Sequence, residues 1–333
     1  MAESAVVVGA GGISNVWFEA LKKEGVDVPA VVDVRMEAAR AQIEKFGLHA
    51  EASTDLAARL ERFHPDFVAD LTVPEAHCQV TCAALRAGYH VIGEKPMASS
   101  MDEARRMVRT AEETGKLYMV SQTRRWDSNH EAVRRALSAG AIGDVTTVNC
   151  DFYLGAHFGG FRDEMRSPLI LDMAIHHFDL ARFMAGTDPV AVYAKEFSPK
   201  GSWYKGDVAA SCVFEMSDGV VFTYRGSWCA EGFITSWNGN WRIIGDRGTL
   251  IYENDEGPKV QVAGDTGFQR PLRDVPVPPV AVEATGWQGA LREMLAFIRT
   301  GTTPQTECHD NIRSLAMVFG AIESSKRAAR VAV

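Results

Sequence analysis

Six cysteines, Cys78, Cys82, Cys150, Cys212, Cys229 and Cys308, are scattered along 333 residues without forming a C-x-x-C pair. That spacing gives no ground for a zinc ribbon or a dithiol redox motif. Cys78 and Cys82 lie one helical turn apart but have no matching ligands nearby, so packed, reduced thiols in a cytoplasmic protein are expected. No stretch gathers Lys and Arg into a long patch, and the formal net charge is −8, which argues against nucleic acid as a partner. No apolar run approaches the ~20 residues needed to span a bilayer, so no membrane partner is expected. The opening "MAESAVVVGAGG" lacks a basic region and is expected to be a first strand, not a signal peptide. Internal repeats and low-complexity segments are absent too. What is present is an ordinary globular composition, 46% hydrophobic and 23% charged, long enough for two cores.

Two rhythms divide the chain. Up to residue 122, short apolar strands such as "AVVVGA", "AVVDV", "DFVADLT", "HVIGEKP" and "KLYMVSQ" alternate with helical patterns. One of these, "MDEARRMVRTAEETG", has Ser100 and Glu103 as a capping box and Gly115 as its stop. Such alternation, with strands this apolar, predicts a doubly wound parallel sheet over 1–122. From 123 to 333 a helix, a strand and a second helix lead into alternating strand patterns with turn signals, Asp218-Gly219 among them. This half is predicted to be an α/β domain with a large open, mostly antiparallel sheet, its tail from Trp287 to Ala329 returning to helix.

Gly9, Gly11 and Ser14 in "VVVGAGGISNVW" match G-x-G-x-x-G/A with serine in the third place. Gly9 permits the tight turn, Gly11 lets backbone approach a pyrophosphate, and a small residue at 14 lets helix and strand pack closely. The motif follows a strand, opens an amphipathic helix and is answered by Asp33 at the end of the second strand, a context that predicts a dinucleotide site. A carboxylate at 33 accepts from the ribose hydroxyls and repels a 2′-phosphate, favouring NAD over NADP. Arg35 is the countersign, since it is placed either to meet such a phosphate or to cover the adenine. Further on, "GEKPMASS" puts Glu94, Lys95 and Pro96 at the carboxyl end of a parallel strand, where ligands bind in such sheets. On the residues alone, Lys95 reads equally as a surface lysine ending that strand.

The segment "LILDMAIHHFDLARFMAG" is an apolar helical stretch bearing Asp172, His176, His177 and Asp179. At ~100° per residue, Asp172, His176 and Asp179 fall within about 60° of arc, while His177 lies ~100° from His176. An ionisable stripe like this must be internally satisfied or line a cavity.

Together the glycine loop with Asp33, "VPEAH", "HVIGEKP", "GAIGDV" and "LDMAIHHFD" resemble the Gfo/Idh/MocA family of glucose–fructose oxidoreductase- and inositol dehydrogenase-like enzymes. The resemblance spans nearly the whole chain and implies a pyridine-nucleotide oxidoreductase acting on CH–OH groups of sugars or polyols. It implies that Lys95, before a cis proline, and the pair Asp172 and His176 carry catalysis. The family pattern D-x-G-x-H-x-x-D maps onto Asp172, Ala174, His176 and Asp179, with Ala174 in place of the usual glycine. Cofactor contacts are expected from Gly9, Gly11, Gly12, Ile13, Asp33, Arg35, Thr72, His77, Glu94 and Lys95. The nicotinamide is expected to point to a cleft between the domains, with His176 taking the hydroxyl proton, Asp172 orienting it and Lys95 stabilising the alkoxide. Trp126, Tyr153, His157 and His177 are the substrate-contact candidates, with packing the competing reading for each. Trp203, Tyr204 and Trp237 offer further aromatic faces.

An aldose oxidised at the anomeric carbon is the expected substrate, with cyclic polyols next. A non-catalytic dinucleotide sensor and an NAD-dependent glycoside-cleaving enzyme remain as alternatives. Asp172 and His176 at i, i+4, completed by His157 or His309, would make a metal site, but nothing else has ligand spacing and no metal is expected. The open sheet face predicts a homodimer or homotetramer.

Overall fold

Fully apolar strands can survive only if both faces of their sheet are covered, and the first sheet shows this. The computed structural model describes residues 2–333. In the N-terminal unit β1 (Ser4–Val8), β2 (Asp27–Val32), β3 (Glu51–Ser53), β4 (Phe67–Asp70), β5 (His90–Gly93) and β6 (Tyr118–Val120) form a parallel sheet in the order β3-β2-β1-β4-β5-β6. This is the doubly wound dinucleotide-binding order. The strands are joined through α1 (Ser14–Glu24), α2 (Met36–Phe46), α3 (Leu56–Phe63), α4 (Pro74–Arg86) and α5 (Met101–Thr114). Half of the expected capping box forms on α5. Ser100 Oγ accepts from Glu103 N, but the Glu103 carboxylate turns to Ser99 Oγ. Gly115, in the left-handed region, ends the helix.

The second unit contains α6 (Ser128–Ser138), β7 (Val145–Tyr153), the short α7 (Phe161–Glu164) and a π-helical turn over Leu169–Ala174 that runs into α8 (Ile175–Ala185). Next come β8 (Pro189–Phe197), β9 (Ala209–Met216), β10 (Val221–Ser227), β11 (Asn240–Gly245), β12 (Gly248–Tyr252), β13 (Lys259–Ala263) and β14 (Leu272–Val275). With β15 (Val331–Ala332) at its edge, the sheet runs β14-β13-β12-β11-β7-β10-β9-β8-β15, antiparallel except where β7 meets β10. Asp218 and Gly219, both at positive φ, turn β9 into β10 as their sequence predicts. One face of this sheet carries the buried aromatics Phe152, Phe214, Phe222, Tyr224 and Trp241.

The two units are not contiguous in sequence. The first comprises residues up to Trp126 together with Glu283–Ile312, and the second Asp127–Val282 with Arg313–Val333. A single cut after residue 122 therefore assigns α9 (Gly286–Thr300) to the wrong core. Its buried face, Ala290, Leu291, Met294 and Leu295, packs in one cluster with Trp17, Phe18 and Leu21 of α1. The helix α10 (Cys308–Arg327) closes the helical tail. All six cysteines are free, and burial beside Cys82 pushes the Cys78 thiol up to about 11.

Candidate active site

In the first unit, the residues after β1 are shaped around absent side chains. Gly9 sits at φ +99°, and a Cβ there would lie 2.5 Å from the Leu71 carbonyl oxygen. Gly11 and Gly12, at the mouth of α1, face open space with nothing within 4 Å of such a Cβ. Ile13 leads directly into α1, and Ser14, fully buried, donates its hydroxyl to Gly11 O at 2.7 Å. Asp33 ties loop to sheet: Oδ2 accepts from Ala10 N and Oδ1 from Arg35 N, both at 2.8 Å, while the Arg35 side chain is largely exposed. A cradle that backbone alone can line, at the positive end of a helix dipole with an acid beyond it, fits a dinucleotide pyrophosphate and ribose.

The end of β5 is clamped from behind. Glu94, 5% exposed, accepts on Oε1 from two indoles, Trp17 Nε1 at 2.7 Å and Trp287 Nε1 at 2.8 Å. Its Oε2 accepts from Lys95 N at 3.1 Å. Burial pushes this carboxyl up, opposed by those three donors and the Lys95 charge. The Lys95–Pro96 bond is cis and Lys95 is half-buried. Thr72 donates N–H and hydroxyl to Asp70 Oδ1. His77 is buried, one ring nitrogen 3.0 Å from Pro96 O and the other 3.0 Å from Thr72 O, so it pins the lysine corner to the Thr72 loop. Glu94 and His77 were expected as cofactor contacts; their polar atoms are engaged by protein, which makes them supports of the loops around the cradle.

In the second unit the adjacent histidines part company. His177 is fully buried, 4.9 Å from the Phe152 ring and 5.6 Å from that of Tyr224, with Nε2 3.3 Å from Trp237 O. His176 and Asp172 are half-buried. The three residues expected on one stripe do not share an environment: Asp172 lies on a π turn over 169–174, and within α8 itself Asp179 is buried where His176 is half-buried. Asp179 faces the core instead, accepting from Ser314 Oγ at 2.7 Å, and that hydroxyl in turn accepts from Arg182 Nη1 at 2.8 Å. Asp172 Oδ2 accepts from Arg162 Nε at 2.6 Å.

The substrate-contact candidates also separate. Trp126 packs in the core of the first unit, its indole N–H on Glu293 Oε1 at 2.8 Å, and is not accessible. Tyr153, at the end of β7, is half-buried. His157 is exposed, stacked on Trp203 at 3.7 Å with Nε2 3.2 Å from Glu231 Oε1. Trp203 Nε1 and the Tyr204 hydroxyl both donate to Ala156 O. Burial pushes that tyrosine hydroxyl up to about 12. Among the described residues, the potential ligand atoms that cluster are those of Glu307, Cys308 and His309. His309 there lies between Glu307 and Glu112, 2.8 Å from one carboxylate and 3.0 Å from the other, and their hydrogen bonds raise its pKa. Sequence reasoning missed the Trp287 donor to Glu94 and the Arg162 partner of Asp172, since neither has a spacing that links it to its carboxylate.

A doubly wound sheet in this strand order, with a glycine-lined cradle answered by an acid, defines a dinucleotide-binding α/β protein. The family model described as "Oxidoreductase family, NAD-binding Rossmann fold" matches residues 4–122, and the GFO/IDH/MocA C-terminal domain model matches residues 130–251. The chain belongs to the Gfo/Idh/MocA family; it is an oxidoreductase with an NAD-binding Rossmann domain. D-apiose dehydrogenase from Paraburkholderia graminis is 29% identical over 96% of this chain and 87% of its own length. Inositol 2-dehydrogenase from Rhizobium meliloti is 25% identical over 96% of this chain and 95% of its own. An oxidoreductase from Agrobacterium radiobacter, crystallised with NAD+, L-tartaric acid and magnesium, superposes with a TM-score of 0.87. At 23% identity over 100% of this chain and 98% of that one, this likeness establishes the fold. No helix among the described residues is long and apolar enough to cross a membrane.

Proposed function

We propose that this enzyme oxidises a hydroxyl of an aldose, at the anomeric carbon, or of a cyclic polyol, with Lys95, Asp172 and His176 as its working residues. The observation that carries the reading is the contrast within one helix. His177 is sealed among aromatic rings, whereas His176 and Asp172 are half-buried, with Asp172 held by an arginine. NAD, when bound, supplies the hydride acceptor, and Asp33 selects it over NADP by repelling a 2′-phosphate. His176 takes the proton from the reacting hydroxyl oxygen on a ring nitrogen. Lys95 Nζ donates to that same oxygen as negative charge develops on it. Asp172 orients the imidazole and accepts from a neighbouring substrate hydroxyl, while Tyr153 and His157 offer further substrate contacts. The names of the apiose and inositol relatives support both substrate branches.

The exposed face of the second sheet carries Tyr193, Phe197, Val213, Val221 and Ile244. A homodimer or homotetramer covering this face, in a cytoplasmic setting that suits six free thiols, completes the proposal.

The test is NADH absorbance after mixing protein and NAD with pooled aldoses, then with pooled cyclic polyols, alongside an NADP run. NADH production from one pool with NAD preferred is the expected result. Silence from every pool despite measurable NAD binding would overturn the reading in favour of a sensor. Glycoside consumption without net NADH would overturn it in favour of a glycoside-cleaving enzyme.

A further inference from the structure

We propose that Arg162 is a positioning residue of this site, gripping the Asp172 carboxylate so that it faces the reacting groups as an oriented anion. The inference rests on the role given to Asp172 above and adds a residue outside the expected set.

The contact is direct and its surroundings are built for it. Arg162 Nε lies 2.6 Å from Asp172 Oδ2. Its guanidinium carbon is 4.9 Å from the ring of Phe158 and 4.7 Å from that of Phe161, a cation held by two aromatic neighbours. Phe158 also packs edge-on against buried Trp228 at 5.1 Å, whereas the Phe161 ring is 66% exposed. Between them Gly159 and Gly160, at φ +68° and +67°, take the left-handed conformations that turn the chain back and let residues 158 and 161 serve one side chain. The other end of this segment is fixed by backbone. Lys205 N donates to Asp163 O at 2.8 Å and Asp207 N to Arg166 O at 2.9 Å. A Cβ on Gly206 would lie 2.2 Å from the carbonyl oxygens of Met165 and Arg166, so the two strips of chain meet where only glycine fits.

The Arg162 side chain is 33% exposed and that of Asp172 16%, so the pair is partly buried and the thermal midpoint of Arg162→Ala separates a structural contribution from an orienting one. Orientation is where it acts. A short, charge-assisted bond to one carboxylate oxygen restrains the direction in which the group points. Asp172 sits on the wide π turn four residues before His176.

The test compares Arg162→Ala, Arg162→Lys, Asp172→Asn and the Arg162→Ala/Asp172→Asn double variant. Turnover is measured with whichever of D-apiose, D-glucose and myo-inositol gives the largest NADH signal, and NAD affinity and thermal midpoint are measured in parallel. Arg162→Ala is expected to lose roughly a hundredfold in kcat, the scale of a misplaced working group, with NAD affinity and thermal midpoint near wild type. Added methylguanidinium should restore part of that loss. Lysine should recover only part, because it keeps the charge without the planar fork that stacks between rings. The double variant should be no slower than Asp172→Asn alone, as expected when one residue acts through the other. Wild-type turnover in Arg162→Ala beside an inactive Asp172→Asn would overturn this inference and leave the proposed function standing. Losses that multiply in the double variant, or no methylguanidinium rescue, would overturn it as well. Wild-type turnover in Asp172→Asn would remove both.

Discussion

Replacing Glu196 by Gln should make the second unit more stable above neutrality and leave it unchanged in acid. Glu196 lies on β8 at 5% exposure; Oε2 accepts from Ser167 Oγ at 3.2 Å and Oε1 has no partner. Burial and the nearby Asp207 push this carboxyl up from 4.5 to about 7, against the pull of Ser167, Lys326 and Arg166. A carboxyl raised in the folded state binds its proton more tightly there than in the unfolded chain. Stability is therefore full below about pH 4.5 and falls as the pH climbs through about 7. At ~1.4 kcal/mol per tenfold, the loss levels off at about 3 kcal/mol in the ionised protein. Glutamine removes the titration while keeping the shape and the acceptor for Ser167. Thermal unfolding of both proteins between pH 5 and pH 9 is the assay. The variant should lead only slightly at pH 5, half a unit above the unfolded value, and by roughly 5 °C at pH 9. Parallel curves across the range would refute the argument that burial holds this carboxyl neutral. Ser167 opens the segment that runs into the π turn bearing Asp172, so a wild-type activity loss in alkali that the variant lacks would extend the effect to the site.

The remaining expectations concern His177 in the second unit and Trp287 and Asp33 in the first. His177→Ala should cost stability, roughly 3–5 kcal/mol for removing a buried ring, as read by chemical denaturation, and any loss of turnover should follow the loss of folded protein. Trp287→Phe removes one of two indole donors from buried Glu94, which should cost roughly 1.5–3 kcal/mol in denaturant and lower kcat through the neighbouring Lys95. Asp33→Asn keeps an acceptor for Ala10 N but removes the charge, so the NAD-to-NADP ratio of kcat/KM should fall by at least about tenfold; an unchanged ratio would take cofactor choice away from Asp33.

The Rossmann half was readable because its signals are local. Apolar runs the length of a strand, a glycine triplet and an acid at the second strand's end lie within some thirty-five residues, and the structure puts them in one sheet. Short or edge elements carried too little pattern. Three-residue β3 gains its place from pairing with β2, and β14 is an exposed edge strand. The helical pattern from Gly286 to Thr300 shows an apolar face but not which core receives it, and that choice goes to α1. The π turn over Leu169–Ala174 was hidden for a related reason: the one-residue excess of an i→i+5 turn leaves no mark on composition. Periodicity along that stretch separates His176 from His177, but the burial of Asp179 is set by its Ser314 partner, 135 residues on, which no local pattern shows. Arg162 was beyond reach because its meaning lies in Asp172, ten residues on, and in two flanking rings that periodicity does not pair.

The most direct test of the account is His176→Ala, assayed for sugar- or polyol-dependent NADH formation and for NAD affinity on the same preparation. Turnover should fall severely with NAD affinity nearly intact, as for a proton acceptor that takes no part in holding the cofactor. Turnover near wild type, or equal loss of turnover and NAD affinity, would contradict the assignment.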